Sequence, residues 1–178
     1  PAFGGNVTIN DDNTLSYAPA ANYFGSDSIT YSVSDGSTTA TSTVSIEVIA
    51  VNDAPVVVDE VLTTTEDQGV LGIVVRDNDS DVEGEVLTIT ANETSLNGGA
   101  VSVNADGSIN YQPKSNFNGT DTIEYFVTDA SGETTGGAVL VTVTAVDDEP
   151  VASTATLETA AGVPIEGDLT ESVILGDG

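Results

Sequence analysis

The chain has 178 residues, with 29 acidic against 2 basic side chains, no histidine and no cysteine, for a net charge of −27. Arg76 and Lys114 are its only bases, which excludes a grip on nucleic-acid phosphates and argues against docking on an anionic membrane. Without His or Cys there is no Ser-His or Cys-His nucleophile pair and no His- or thiolate-ligated zinc or iron, so we read a non-enzyme with no small-molecule substrate. Metals that take only oxygen ligands, chiefly calcium, remain open. No 18-residue apolar run is present, so no membrane insertion is expected. The chain opens with neither Met nor a signal peptide, which points to a trimmed protein or a window of a longer one.

Taken in chain order, Val7–Ile9 and Leu15–Tyr17 flank Asp12-Asn13 and predict a hairpin. Ile29, Tyr31 and Val33 then alternate with Ser and Thr, and Val44, Ile46 and Val48 continue the alternation. Period 2 turns one strand face to a core and the other to water. Val51-Asn-Asp-Ala-Pro55 reads as a polar linker. One strand is expected to leave Pro55 for a far pole near Glu66-Asp67, and another, Val70 to Val75, to return. Leu87–Ile89 opens the next strand. Val101–Val103 and Ile109–Tyr111 flank Asp106-Gly107, a second hairpin signal. Ile123, Tyr125 and Val127 alternate again, as do Val139, Val141 and Val143. No stretch keeps helical spacing for ten residues.

The later strands restate the earlier ones. Val7/Val101, Asn10/Asn104, Asp12/Asp106, Tyr17/Tyr111, Pro19/Pro113, Asp27/Asp121, Ile29/Ile123, Tyr31/Tyr125, Val33/Val127 and Asp35/Asp129 are identical pairs at an offset of 94. One added residue near Gly132 makes the offset 95 for Val51/Val146, Asp53/Asp148 and Pro55/Pro150. A period of about 95 residues suits small domains in series rather than solenoid turns. Residues 1–55 then form the later part of one repeat, 56–150 a complete second, and 151–178 the opening strands of a third. The fold expected is all-β: tandem immunoglobulin-like antiparallel sandwiches.

The run from Gly98 through Asp106-Gly107 to Tyr111 and Pro113, followed by Asn116-Phe-Asn-Gly-Thr-Asp121 and Tyr125, resembles the tandem-95 or cadherin-like repeats. These build very long bacterial surface adhesins of RTX type, exported by type I secretion. Residues 22–55 carry the same pattern, as does Arg76-Asp-Asn-Asp-Ser-Asp81 with Gly84 and Leu87-Thr-Ile-Thr90. The resemblance covers residues 1 to about 150 well and 151–178 poorly. It implies a cadherin-like fold, an extracellular or bacterial cell-surface location, a part in adhesion or biofilm, and calcium at the joints between repeats.

Asp77, Asp79 and Asp81 stand at alternate positions of a turn-rich segment, where like charges resist ionisation unless a cation or solvent relieves them. The run echoes an EF-hand, but Val82 occupies the required Gly position and Thr88 the closing Glu, so that motif is rejected. Tracing the strands places these three acids beside Asn52-Asp53, and Glu66 and Asp67 near Asp147-Asp148-Glu149 at the opposite pole. The candidate calcium ligands are therefore Asn52, Asp53, Glu66, Asp67, Asp77, Asp79, Asp81, Glu85, Asp147 and Asp148. A blander reading stands beside this one: solvated loop acids at Asp77, Asp79 and Asp81, a rigid polar linker at Asn52, Asp53, Asp147 and Asp148, and water-facing Glu85. Asp12 and Asp106 are turn residues, and Asp27, Asp35, Asp121 and Asp129 cap turns beside a strand. Tyr17, Tyr31, Tyr111 and Tyr125 belong to cores, which leaves little for a carbohydrate-stacking module.

The function expected is a structural extender (spacer) of a large adhesin or extracellular fibre, stiffened by Ca²⁺ at its joints, with neighbouring repeats as partners. The alternative is a filament subunit, in which 151–178 of one chain complete 1–55 of the next by strand donation. The third segment places Thr170, Ser172 and Ile174 where the second has Asp77, Asp79 and Asp81.

Overall fold

The computed structural model describes residues 3–147, 151–152, 156–167 and 173–174, the two short pairs by backbone alone. The described residues are all-β. They divide into two compact units: Pro1–Ala54 with Asp81–Glu85, and Pro55–Ser80 with Val86–Gly178.

In the first unit β1 (Asn6–Ile9) and β2 (Leu15–Ala18) form one antiparallel hairpin, and β3 (Gly25–Ser34) and β4 (Thr39–Val48) form another, in register from Gly25 opposite Val48 to Ser34 opposite Thr39. Asn13, at φ 63°, makes the left-handed turn between β1 and β2. Asp12 Oδ1 accepts the Thr14 N–H at 3.0 Å, as a turn aspartate should.

The second unit continues with β5 (Glu60–Thr65), β6 (Val70–Ile73), β7 (Thr88–Ala91), β8 (Ala100–Val103), β9 (Ile109–Gln112), β10 (Gly119–Thr128) and β11 (Thr134–Thr144). One sheet runs β5-β11-β10-β7 and the other β6-β9-β8. Both contribute to one core, with Val101, Ile109 and Tyr111 from the second packing with Ile123, Tyr125, Val127, Val139 and Val141 from the first. This is a two-sheet sandwich. Ahead of β5, Val56 makes an isolated antiparallel bridge to Ser80, whereas β5 itself pairs parallel with β11. Beyond the core lie β12 (Val151–Ala152) and β13 (Val173–Ile174), paired antiparallel. Most of 168–178 lies outside the described residues.

Alternation explains the strands. In β10, Asp121, Ile123, Tyr125 and Val127 are buried while Glu124 and Phe126 face out, and in β11 Val139, Val141 and Val143 are buried. Gly137 stands opposite Tyr125 in the ladder. A Cβ there would come within 2.5 Å of both Tyr125 Cζ and Val57 Cγ1, so glycine is what lets the ring lie flat across β11. Gly137→Ala should therefore destabilise the unit by about 1–3 kcal/mol through overpacking. A urea melt checks this, and an unchanged midpoint would show that the ring has room to move.

Candidate functional site

The acid-rich loop after β6 folds back on the segment that leads into β5. Val56 and Ser80 exchange backbone hydrogen bonds of 2.8 and 3.0 Å. Asp79 Oδ1 accepts the Val58 N–H at 2.9 Å, and the Asn78 side-chain amide donates to the Val58 carbonyl at 3.2 Å. The neighbouring Glu60 accepts the Tyr125 hydroxyl at 2.9 Å through Oε2. Each acid keeps a second buried oxygen, Asp79 Oδ2 and Glu60 Oε1, with no hydrogen-bond partner. Burial pushes the Asp79 carboxyl above its ordinary range in spite of the bond from Val58. Burial also raises Glu60, with Asp79 and Asp59 adding repulsion and hydrogen bonds from Tyr125 and Asn78 opposing the shift. Asp77 is exposed.

At the other end of β5, Glu66 is only 4% exposed. Its N–H donates to Thr144 O at 2.9 Å, and its Oε1 accepts the Val146 N–H. Its Oε2 is buried without a partner. Asp67 takes the left-handed conformation at φ 59° and accepts the Asn116 N–H at 3.2 Å. Asp147 is exposed, and Asp148 lies outside the described residues.

Within the first unit, Asp81 Oδ1 accepts the Glu85 N–H at 3.1 Å across a turn closed by Gly84 at φ 72°. Asp81 Oδ2 is buried without a partner. Asp53 donates its N–H to Glu83 Oε2 at 3.1 Å. Asn52 and Glu85 are half-buried, and Asp53 is exposed. Among the described residues no group of three or more acidic side chains converges on a metal-sized position.

The donor set consists of oxygens alone, and Asp79, Asp81 and Glu66 each hold one buried oxygen with no hydrogen-bond partner among the described residues. A buried carboxylate oxygen of this kind is costly unless a cation, a water or a proton meets it, and among cations a hard one of calcium type matches an all-oxygen set. On that criterion the residues fit.

Two participants went unread in the sequence. Glu83 fills the alternation of acids between Asp81 and Glu85, a position the sequence reading passed over. Glu60 carries no spacing signal, because only the fold brings it to Tyr125.

Asp121 is a correction. Far from capping a turn, it is buried in β10 and accepts four hydrogen bonds: Ser95 Oγ at 2.5 Å, Tyr111 Oη at 2.7 Å, Thr122 N–H at 2.7 Å and Asn97 N–H at 3.0 Å. Asp27 repeats this in β3 with the Tyr17 hydroxyl at 2.9 Å. Burial drives the Tyr111 hydroxyl far up, with Asp121 adding to the effect. With four donors, Asp121 is saturated by protein. By contrast, Asp35 and Asp129 do cap turns, accepting from Ser37 and Thr38 and from Gly132 and Glu133. Tyr31, expected in a core, is 37% exposed.

A two-sheet sandwich with a parallel first strand defines a module of immunoglobulin-like type. Residues 52–145, more than half of the chain, match the family model of the bacterial cadherin-like domain, and the chain belongs to that family. Residues 1–47 match the model of the bacterial Ig domain. No curated protein matches the chain. Among solved structures, the extracellular cadherin domains 1–4 of protocadherin gamma B7 share 18% identity over 91% of this chain and 44% of that one, at a TM-score of 0.52. Domains EC1–2 of human mucin-like protocadherin share 17% over 79% of this chain and 78% of that one, also at 0.52. Both show the fold. An endo-fucoidan hydrolase of glycoside hydrolase family 107 shares 22% identity over 80% of this chain at a TM-score of 0.40, too low to carry an argument, and the chain spans only 22% of its length. Cadherin-like domains generally bind calcium and are generally non-enzymatic, and bacterial ones typically belong to extracellular surface proteins whose neighbours are further domains. No helix among the described residues is long and apolar enough to cross a membrane.

Proposed function

We propose that the chain is a structural extender of a large bacterial cell-surface adhesin or extracellular fibre, with repeats at 1–55, 56–150 and 151–178, and that calcium stiffens the joints between repeats. The buried, unpartnered carboxylate oxygens of Asp79, Asp81 and Glu66 carry this reading. Asn52, Asp53, Asp77, Asp79, Asp81 and Glu85 would serve one joint, and Glu66, Asp67, Asp147 and Asp148 the other. Each ion cancels two charges of a chain that carries −27. Folded sandwiches are stable by only about 5–15 kcal/mol, so an ion at 100 times its dissociation constant, worth about 2.7 kcal/mol, is a large share. Low calcium inside a cell would leave the string loose for export, and high calcium outside would straighten it.

Thermal melts with calcium, magnesium or chelator test this, together with the length from solution scattering. Calcium should raise the melting temperature and lengthen the particle. Asp79→Asn should remove about 2.7 kcal/mol of that calcium-dependent gain, the mass-action worth of one site. In chelator the same variant should be no less stable than the parent, because a raised carboxyl pKa means that ionisation costs stability as pH rises through it. Identical melts and lengths in calcium and chelator would end the calcium reading.

A further inference from the structure

In the second unit β5 and β11 lie side by side and run the same way, in register from Glu60 opposite Val139 to Thr65 opposite Thr144. Both strands therefore start at one pole of the sandwich and finish at the other. The chain enters the sandwich just ahead of β5 and leaves it just after β11. A pull on the chain from its two sides draws β5 back toward the first pole and β11 on toward the second, so the strands must slide past each other. Bonds of a parallel ladder are evenly spaced along the strands, and sliding loads them together rather than in turn. Among the described residues β11 is the only ladder partner of β5, which forms the edge of its sheet.

β5 is also fastened to the β11 segment beyond both ends of that ladder, each time by a carboxylate. At the first pole Asp59 Oδ1 accepts the Ala138 N–H at 2.9 Å. At the second, Glu66 Oε1 accepts the Val146 N–H, while the Glu66 N–H donates to Thr144 O at 2.9 Å. Thr144 Oγ1 adds a bond of 3.2 Å to Thr64 O. Glu66 is buried, so water has little access to the fastening at the second pole.

We propose that this ladder and the carboxylates of Asp59 and Glu66 form a tension clamp, which lets the second unit carry load along the chain without unfolding. The clamp deepens the spacer reading, rests on it for the source of the load, and needs no calcium.

The absence of cysteine lets pulling handles be placed at will. In the full-length chain in chelator, handles on Ala54→Cys and Asp147→Cys load β5 against β11 in shear. Handles on Ala54→Cys and Ala130→Cys, the latter on the turn that feeds β11, pull both strands from one pole and peel the ladder pair by pair. The Val56–Ser80 bridge precedes the ladder in both geometries and does not separate them. At one constant force, where the lifetime reads the unfolding rate, shear should outlast peeling by about tenfold or more. Glu66→Ala should shorten the shear lifetime by about tenfold or more, as loss of a hydrogen bond to a charged acceptor does, and should act less in peeling. Glu66→Gln keeps an acceptor oxygen and should stay within about threefold of the parent in shear. Equal lifetimes in the two geometries, or a Glu66→Ala effect of the same size in both, overturn the proposal. With chelator present throughout, neither result touches the calcium reading, which the thermal melts decide.

Discussion

Asp121→Ala should cost the second unit about 3 kcal/mol or more. The substitution strips the acceptor from Ser95, Tyr111, Asn97 and Thr122 at once, and each buried donor left unsatisfied costs roughly 1–3 kcal/mol. Tyr111→Phe removes a single donor and should cost about 1 kcal/mol. Denaturant midpoints measure both, and a value for Asp121→Ala within 0.5 kcal/mol of the parent would mean that water replaces the network. The pH dependence has a definite sign. Burial would raise the Asp121 carboxyl, but the hydrogen bonds from Ser95, Tyr111, Asn97 and Thr122 outweigh it and hold the group below its ordinary value. Its stabilisation is therefore present above the unfolded value of about 3.9 and is lost as pH falls through the lower folded value. The gap between parent and Asp121→Ala should narrow in that acid window.

The second large effect comes from a pair of identical residues. Tyr125→Ala should destabilise by about 3–5 kcal/mol, because it empties a site in the sealed core. It also removes a donor from Glu60. Tyr31→Ala, at the matching position of the other repeat, should cost under about 1 kcal/mol, as partly exposed positions do. Urea melts of the two variants at low protein concentration provide the comparison. If Tyr31→Ala proved as costly as Tyr125→Ala, exposure would not be what separates the two positions.

Some of this was plain in the residues. The offset that pairs Tyr17 with Tyr111 and Asp27 with Asp121 announces a repeated unit. Alternation at Ile123, Tyr125 and Val127 announces a strand with one buried face. The Asp106-Gly107 turn is where it was read, with Gly107 left-handed at φ 86°. The acids beyond Val75 were legible as a run of alternating carboxylates, because their spacing is local, but among the described residues no three of them converge.

Period 2 tells which side of a strand is apolar, and nothing about what will lie on it. Tyr31 and Tyr125 share their alternating pattern, yet only one is sealed, since burial depends on strands contributed from far along the chain. Asp121 looked like a turn residue because its partners Ser95 and Asn97 come from a distant loop. Glu60 met Tyr125 for the same reason, when β5 left the Val56–Ser80 bridge and paired with β11. The sequence by itself determined the strands, their faces, the repeat and the family pattern, all carried by neighbours a few residues apart. Tertiary structure alone decided which faces were covered, which carboxylates were satisfied and which were left with an empty oxygen, since each depends on pairing between segments that no local pattern connects.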